Sequence, residues 1–284
     1  MILSELAPAK INLFLHVGAP RPDGRHPVCS LAVFADVGDR LQAEPAERFS
    51  LDVTGPFAAG VGPAEDNLIT RALRAVGAPP IAVRLDKRLP VASGVGGGSS
   101  DAGAALRLAG RLTPGLSQTD LEAAALGLGA DGLLCLRART CIAEGEGEVL
   151  SPAPAMPELP AVLVNPGVAC PTDAVYRAYD AGPGRFEADR PDLPEGFATP
   201  ADVAAFLAAR RNDLEAPAIG LQPVIGEVLT ALRHRPQTLL ARMSGSGATA
   251  FALCADAAAA EALAADLAFD HPSWWVRAGR LNPA

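Results

Sequence analysis

The stretch Pro90-Val91-Ala92-Ser93-Gly94-Val95-Gly96-Gly97-Gly98-Ser99-Ser100-Asp101 joins a predicted strand to a predicted helix. Residues 81–85 before it alternate apolar and polar side chains, which is typical of a strand with one buried face. Residues 101–112 after it are rich in Ala and Leu at helical spacing. The glycines allow close approach to a ligand, and Ser99, Ser100 and Asp101 are residue types favoured at a helix N-cap. Because a helix N-terminus attracts anions, the stretch predicts a phosphate-binding site.

A flexible cap on a buried helix is the alternative interpretation of the same stretch. Three consecutive glycines count against it, because glycine loses the most conformational entropy when it is ordered. The stretch lacks the Gly-Lys-Ser/Thr of a P-loop, and the acidic residue pattern of a dinucleotide fold does not follow it. We therefore favour phosphate binding of another type.

Composition limits the class of protein. The chain has 284 residues, of which 49% are hydrophobic and 20% charged, enough for one large or two ordinary domains. Its net charge of −8 argues against nucleic acid or an anionic membrane as a partner.

The five cysteines are dispersed without a Cys-x-x-Cys pair, which disfavours zinc and indicates buried thiols. Residues 1–5 lack signal-peptide features and no apolar run approaches ~20 residues, so we expect a cytoplasmic protein.

Lysine is rare in this chain. Of the 24 basic Lys and Arg residues, Lys10 and Lys87 alone are lysines. A compact ammonium can do what a planar guanidinium cannot, so both positions are functional candidates, the alternative being two lysines retained by chance. Strand alternation would place Lys10 and Asn12 on one face.

The rest of the chain divides at a proline-rich segment, 150–160, which we interpret as a linker without regular structure. A glycine-rich break, 127–132, contains Asp131. A second glycine cluster, 244–247, is either a hairpin turn or a point of close approach to a ligand. Strands are predicted at 10–17, 28–34, 40–43, 49–53, 161–164, 238–243, 248–254 and 274–276, and helices near 66–77, 118–128, 173–179, 200–209, 224–232 and 257–267.

These motifs together resemble the GHMP kinases, over nearly the whole chain and in the family's order. The resemblance rests on Pro8–Leu13, Asp23–His26, Glu65–Ile69, the glycine-rich stretch above, Leu128–Asp131, Glu144–Glu148, Asn165–Val168 and Ser244–Ala248. It implies an α+β architecture of two domains with the active site in the cleft between them. The N-terminal domain, 1–152, would be ribosomal-protein-S5-like and the C-terminal domain, 161–284, ferredoxin-like. A monomer or weak homodimer with a small-molecule substrate is expected.

The resemblance also implies an activity, transfer of the ATP γ-phosphate to an alcohol. The motifs are most similar to those of members that phosphorylate the 2-hydroxyl of a cytidine-diphosphate-linked methylerythritol in the non-mevalonate route to isoprenoids. Lys10 and Asp131 match the catalytic pair, with Asp131 as proton acceptor and Lys10 stabilising charge. Residues 90–100 match the ATP phosphate loop, and Ser100 is the expected oxygen near Mg²⁺. The nucleotide pocket would include Asn67 and Lys87, and the substrate site Asn12, Arg25, His26, Thr172 and Tyr176.

Other interpretations remain open at the level of single residues. Without the resemblance, Asp131 would be a turn or cap residue, His26 a loop residue and Tyr176 a core residue. Arg25 stands where the family usually has an aromatic residue, although a guanidinium can also stack on a base. Gly132-Leu133 replaces the family's Val-Pro, so we expect a looser loop around the base and lower turnover.

Two competing functions follow from the same features. The first is a related small-molecule kinase acting on homoserine, mevalonate or a sugar, which would not need the motif at 23–26 or Tyr176. The second is a pseudokinase that binds nucleotide without chemistry, which the presence of both Lys10 and Asp131 disfavours.

Overall fold

Strands and helices are interleaved along residues 1–183 and 187–283, which the computed structural model describes. In chain order the elements are β1 (Leu3–Val17), β2 (Val28–Pro45), β3 (Ser50–Thr54), α1 (Leu68–Ala75), β4 (Ile81–Asp86), α2 (Gly97–Leu112), α3 (Gln118–Leu126), α4 (Gly132–Arg137), β5 (Cys141–Gly145), β6 (Val149–Pro152), β7 (Leu159–Asn165), α5 (Thr172–Asp180), α6 (Pro200–Ala208), α7 (Glu215–Leu221), α8 (Val224–Arg233), β8 (Thr238–Met243), β9 (Ala250–Cys254), α9 (Ala257–Asp270) and β10 (Trp275–Leu281). The mixture is α+β, as expected. A helix with the length and apolarity of a membrane span is not found among these residues.

The described chain packs as two compact units, each assembled from separate segments. Unit 1 comprises Met1–Lys10, Gly38–Val91 and Gly96–Arg139, and unit 2 comprises Ile11–Val37, Ala92–Val95 and Thr140–Ala284. Strands β1 and β2 therefore contribute residues to both. The domain bounds expected from the sequence, 1–152 and 161–284, stay a prediction.

Unit 1 places helices α1 to α4 with a small sheet. The C-terminal part of β2 pairs antiparallel with β4, and β3 pairs parallel with β4. Alternate β4 residues Ile81, Val83 and Leu85 are buried, as the period of two predicts. They join a core formed with α1 and α2, whose contributions include Leu73 and Leu108. This core fixes α2, the helix that follows the glycine-rich stretch.

Unit 2 contains a sheet in which β10 and β9 flank β7, and β8 pairs with β9, all antiparallel. β5 pairs with the N-terminal part of β2 and forms a hairpin with β6. Helices α5 to α9 belong to this unit, and its core includes Val162, Val164, Leu229 and Leu263. The core also takes Leu15 from β1, far away in the sequence.

Several sequence expectations are corrected. Helix α2 begins at Gly97, four residues before the predicted start at Asp101, with Gly96 at its N-cap. Ser99, Ser100 and Asp101 therefore lie inside the helix, and the expected side-chain cap is wrong. Residues 149–152 form β6, so the proline-rich segment is not free of regular structure. Helix α4 begins directly after Asp131, where a break was predicted.

Candidate active site

The two residues expected to form a catalytic pair lie in contact within unit 1. Lys10 Nζ is 3.1 Å from Asp131 Oδ2, and the side chains are 7% and 36% exposed, respectively. Lys10 is on β1, and Asp131 is the N-cap residue of α4, although its side chain makes no capping hydrogen bond. The carboxylate is thus paired with a buried ammonium and still open to a reactant.

The residue after Asp131 holds α4 close to the preceding helix. A Cβ on Gly132 would lie 1.9 Å from the Ala125 carbonyl oxygen of α3. The Gly132 N–H donates to the Gly129 carbonyl at 3.0 Å. A side chain at this position would therefore collide with α3, and the expectation that Gly132-Leu133 gives a looser loop and lower turnover stays a prediction.

The N-terminal end of α2 lies beside the same pair. Gly96 has φ +63°, and a Cβ there would stand 3.2 Å from Lys10 Cε and 3.6 Å from Asp131 Oδ2. The amides of Gly97, Gly98 and Ser99 open the helix and, as first-turn amides, have no carbonyl partner within it. Donors for an anion and the Lys10–Asp131 pair are thus neighbours.

Ser100, the expected metal neighbour, is fully buried, and its hydroxyl donates to the Pro8 carbonyl at 2.7 Å. Among the described residues, no group of three or more His, Cys, Asp and Glu side chains could hold a metal ion. Mg²⁺ at this site stays a prediction. The role of Ser100 stays a prediction.

Lys87 is buried between two carboxylates beneath the first turn of α2. Its Nζ donates to Asp39 Oδ2 at 2.5 Å and to Asp101 Oδ2 at 2.6 Å. A Cβ on Gly97 would lie 3.2 Å from this ammonium. Burial disfavours the charged form, but the two carboxylates outweigh it and raise the pKa of Lys87. Lys87 thus stabilises the first turn of α2, and its expected contact with the nucleotide stays a prediction.

Asn67, the other expected nucleotide residue, is the N-cap of α1. Its side-chain oxygen accepts the Ile69 N–H at 2.9 Å. This bond satisfies one of the free amides of the helix start. The side chain is half-buried, so capping accounts for its oxygen, and nucleotide contact stays a prediction.

Asn12 and Thr172, both expected at the substrate, meet the second glycine cluster in unit 2. The Asn12 N–H donates to Ser244 Oγ at 3.1 Å, and Thr172 Oγ1 lies 2.9 Å from Ser246 Oγ. Asn12 Nδ2 donates to Ser30 Oγ at 2.7 Å. The structure therefore brings these two residues to one loop.

That loop, residues 244–247, connects β8 to β9 as the hairpin interpretation predicted. It also packs against the segment 92–95 of the glycine-rich stretch. Ser244 Oγ donates to the Gly94 carbonyl at 3.1 Å, and the Thr249 N–H donates to the Ser93 carbonyl at 3.0 Å. Its approach to a ligand stays a prediction.

His26 and Tyr176 form a ring pair in unit 2, with centroids 5.0 Å apart. His26 is buried, its Nδ1 is 2.8 Å from the Gly18 carbonyl, and its Nε2 is 3.3 Å from Asp180 Oδ1. Both nitrogens thus have fixed partners, which orient the ring. Thr172, Tyr176 and Asp180 lie at i, i+4 and i+8 on α5 and so share one face.

The guanidinium of Arg25 does not stand free beside His26. It is 69% exposed and donates to Glu146 Oε2 at 2.7 Å, on the turn between β5 and β6. Arg21 lies 3.4 Å from Glu146 Oε1. Stacking of Arg25 on a base stays a prediction.

Three residues around these groups were not singled out from the sequence: Asp39, Glu146 and Asp180. Asp180 could have been found from the four-residue spacing that places it with Thr172 and Tyr176. No sequence pattern around Asp39 indicated its contact with Lys87, because the two residues are 48 positions apart. Asp101 was noticed only as a candidate cap.

Comparisons with known proteins show the family. The family profiles described as GHMP kinases N terminal domain and GHMP kinases C terminal match residues 67–135 and 195–272. The 4-diphosphocytidyl-2-C-methyl-D-erythritol kinase of Caulobacter vibrioides (strain NA1000 / CB15N) is 56% identical over 290 residues, covering 99% of this chain and 100% of that one.

Solved structures agree at the level of the fold. A crystal structure of 4-(cytidine 5'-diphospho)-2C-methyl-D-erythritol kinase matches with a TM-score of 0.78 and 36% identity, covering 99% of this chain and 100% of that chain. The homoserine kinase from Cytophaga hutchinsonii ATCC 33406 matches with a TM-score of 0.63 at 19% identity, covering 98% and 94%, and shares the fold alone. The expected fold class is confirmed. This chain therefore belongs to the GHMP kinases and, within them, to the 4-diphosphocytidyl-2-C-methyl-D-erythritol kinase family.

Proposed function

We propose that this kinase transfers the γ-phosphoryl group of ATP to the 2-hydroxyl of 4-diphosphocytidyl-2-C-methyl-D-erythritol, in the non-mevalonate route to isoprenoid precursors. The observation that carries the proposal is the contact of Lys10 Nζ with Asp131 Oδ2 at 3.1 Å, beside Gly96 at the start of α2. A candidate base, a cation and an anion-binding helix end are thus adjacent. This is the set that phosphoryl transfer to an alcohol requires.

Asp131 takes the proton of the attacking hydroxyl. Its carboxylate is the more exposed member of the pair, so an acceptor can reach it. Lys10 is held rigidly on β1, and its ammonium neutralises negative charge that develops on the attacking oxygen and the transferred group. Because both groups are in place before substrate arrives, little reorganisation is needed during the reaction.

The amides of Gly97, Gly98 and Ser99 bind the phosphates of ATP. Their N–H groups and the positive end of the α2 dipole act together on an anion. Mg²⁺, when bound to ATP, would neutralise charge on the β- and γ-phosphates and would take most of its ligands from them. Lys87 beneath Gly97 is paired with Asp39 and Asp101, so it stabilises this end of α2 without adding a net positive charge.

The acceptor binds through the groups gathered in unit 2. His26 and Tyr176 offer a ring pair for the cytosine, and Asn12 and Thr172 offer polar groups beside residues 244–247. Arg25, which donates to Glu146, is the proposed cationic group of this site. We place the enzyme in the cytoplasm as a monomer or weak homodimer.

A coupled ADP-release assay tests the proposal. Wild type, Asp131→Asn and the control Asp52→Asn are compared with MgATP and the cytidine-linked acceptor. Asp52 is an exposed carboxylate on β3. Positioned acid–base groups contribute about 100- to 10,000-fold, so we expect Asp131→Asn to lose activity in that range and Asp52→Asn to retain it.

The same assay separates the competing functions. Turnover of homoserine, mevalonate or a sugar in place of the cytidine-linked acceptor would replace the proposed substrate. Binding of ATP by calorimetry without turnover of any acceptor would support a pseudokinase. Full activity of Asp131→Asn would reject Asp131 as the base while leaving the substrate assignment intact.

A further inference from the structure

We propose that Arg107 on α2 is a positioning residue. It fixes the position of the Lys10–Asp131 pair relative to the phosphate-binding N-terminus of that helix. The inference rests on the proposed function for the role of the pair in phosphoryl transfer. Arg107 itself is remote from the reacting groups, so its effect must pass through the elements that it joins.

One guanidinium connects α2 to two other elements. Arg107 Nη1 donates to the carbonyls of Cys135 and Leu136 at 2.8 and 2.9 Å, both in α4. Its Nε donates to Glu5 Oε1 at 2.8 Å, and its Nη2 donates to the Leu6 carbonyl at 3.1 Å, both in β1. The fork of the guanidinium makes all four bonds at once, which a single ammonium cannot do.

Each of these elements carries one part of the proposed machinery. Gly97 begins α2 ten residues before Arg107, which is about 15 Å along a helix. Asp131 precedes Cys135 by one turn, about 6 Å. Lys10 follows Glu5 by five residues, about 16 Å along a strand. A displacement at the guanidinium would therefore be carried to all three functional groups by regular backbone.

Helix α4 depends on these contacts for its orientation. It spans Gly132–Arg137, six residues, and helices so short are marginal without tertiary support. The Cys135 and Leu136 carbonyls belong to its last turn, where no helical amide follows to bond them. Arg107 donates to these two carbonyls and so stabilises the C-terminal end of α4, whose N-cap residue is Asp131.

The backbones of α2 and α4 also touch directly. A Cβ on Gly103 would lie 2.5 Å from the Cys135 carbonyl oxygen and 2.9 Å from the Leu136 nitrogen. Gly103 and Arg107 are four residues apart and so share one face of α2. The glycine sets the separation of the two helices, and the arginine fixes their relative rotation.

Arg111 provides a matched control on the same helix. It lies one turn beyond Arg107 and donates to the other oxygen of Glu5, Oε2, at 2.6 Å. Its second bond in the described part of the chain goes to the Ser4 carbonyl at 3.3 Å, and α4 receives none from it. Arg111→Gln thus removes a guanidinium from Glu5 without touching α4.

Steady-state kinetics of Arg107→Gln and Arg111→Gln form the first test. Misplacement by about 1 Å can cost up to about 100-fold in rate. We expect Arg107→Gln to lower kcat about tenfold or more with KM for ATP within about twofold, and Arg111→Gln to match wild type. Arg107→Lys, which can keep Glu5 but not all four bonds, is the milder variant if Arg107→Gln does not fold, and it should also lose kcat.

The scarcity of lysine allows a direct readout of position. With [ζ-¹⁵N]lysine the chain gives side-chain signals from Lys10 and Lys87 alone. In Arg107→Gln we expect the Lys10 signal to shift or broaden, whereas the Lys87 signal reports on α2 itself, because Lys87 donates to Asp101 of that helix. Arg111→Gln should leave both signals unchanged.

Either of two results would overturn the inference. One is an unchanged kcat for Arg107→Gln and Arg107→Lys below their unfolding temperatures. The other is a Lys10 signal that stays in place in Arg107→Gln, or that changes equally in Arg111→Gln. A wild type inactive towards every acceptor would instead reject the proposed function, and the lysine spectra would still report whether Arg107 positions the pair.

Discussion

Two carboxylates share the Lys87 ammonium beneath α2, and they are not equivalent. Asp39 Oδ1 accepts the N–H groups of Arg88 and Leu89 at 2.5 and 2.8 Å, in addition to the ammonium on Oδ2. Asp101 Oδ1, within the described residues, is buried without a hydrogen-bond partner. The carboxylate with fewer donors is the one that holds a proton more easily, so Asp101 is the titrating member.

Asp101 therefore predicts a pH dependence of stability. Burial, with a further contribution from Asp39 and against the attraction of Lys87, raises the pKa of Asp101 to about 8. The unfolded chain releases this proton near pH 4, so the folded state binds more protons between about pH 4 and pH 8. Its free energy of unfolding falls as pH rises through that window, by up to about 1.4 kcal/mol per pH unit.

The variant Asp101→Asn cannot titrate at this position. Urea unfolding should show its stability relative to wild type increasing by about 3–4 kcal/mol from about pH 5 to about pH 8. Asp173→Asn is the control, because Arg177 lowers the pKa of that exposed carboxyl and its effect is confined below about pH 4. Parallel curves for wild type and Asp101→Asn would mean that Asp101 is ionised throughout.

At the scale of single residues, the sequence predicted candidate site residues where a residue type was rare in the chain. Lys10 and Lys87 were notable in an arginine-rich chain, and the structure gives both of them carboxylate partners. The partners Asp39 and Asp101 were not identifiable as such, because ordinary aspartates become a buried cluster only through the packing of β2 and α2. Arg107 could not be distinguished from the other arginines, because its contacts also form only through the packing of distant segments.

At the scale of elements, hydrophobic period predicted the long helices and the clearly alternating strands. β4 and α9 lie close to where they were expected, because each has a buried face and a regular pattern. Helix α4 was missed because its six residues are too few to establish a period and follow a glycine-rich run. The start of α2 was missed because glycine disfavours helix, and only tertiary packing overrides that preference at Gly97 and Gly98.

The junction of α3 and α4 makes a prediction at this scale. A Cβ on Gly132 would lie 1.9 Å from the Ala125 carbonyl oxygen, so Gly132→Ala forces the two helices apart. Overpacking of this kind costs about 1–3 kcal/mol, and we expect about 3 kcal/mol by urea unfolding, with lower turnover as Asp131 moves. Gly62→Ala, where nothing lies within 4 Å, is the control and should be neutral. Equal stability of both variants would show that α4 shifts freely.

At the scale of the whole molecule, unit 2 depends on a segment from the start of the chain. The Leu15 N–H donates to the Arg211 carbonyl at 2.9 Å, and the Leu15 carbonyl accepts the Asp213 N–H at 2.9 Å. Arg242 Nη1, which is buried, donates to the Leu13 carbonyl at 2.7 Å. Leu15 and Val17 also belong to the unit's core. The sequence pattern could not show this, because a strand's partners do not follow from its own residues.

The predicted domain bounds, 1–152 and 161–284, can therefore be tested by expressing the two fragments separately and together. A fragment of residues 161–284 lacks Leu15 and Val17, each worth about 2 kcal/mol of burial, and leaves the Arg242 guanidinium without its Leu13 acceptor. Those losses approach the 5–15 kcal/mol that stabilises a typical domain, so we expect no cooperative thermal transition by circular dichroism. Co-expression with residues 1–152 should restore the transition, since the missing segment of β1 is then supplied. A cooperative melt of the isolated fragment would show that 161–284 folds alone and that β1 adds binding groups to a unit already formed.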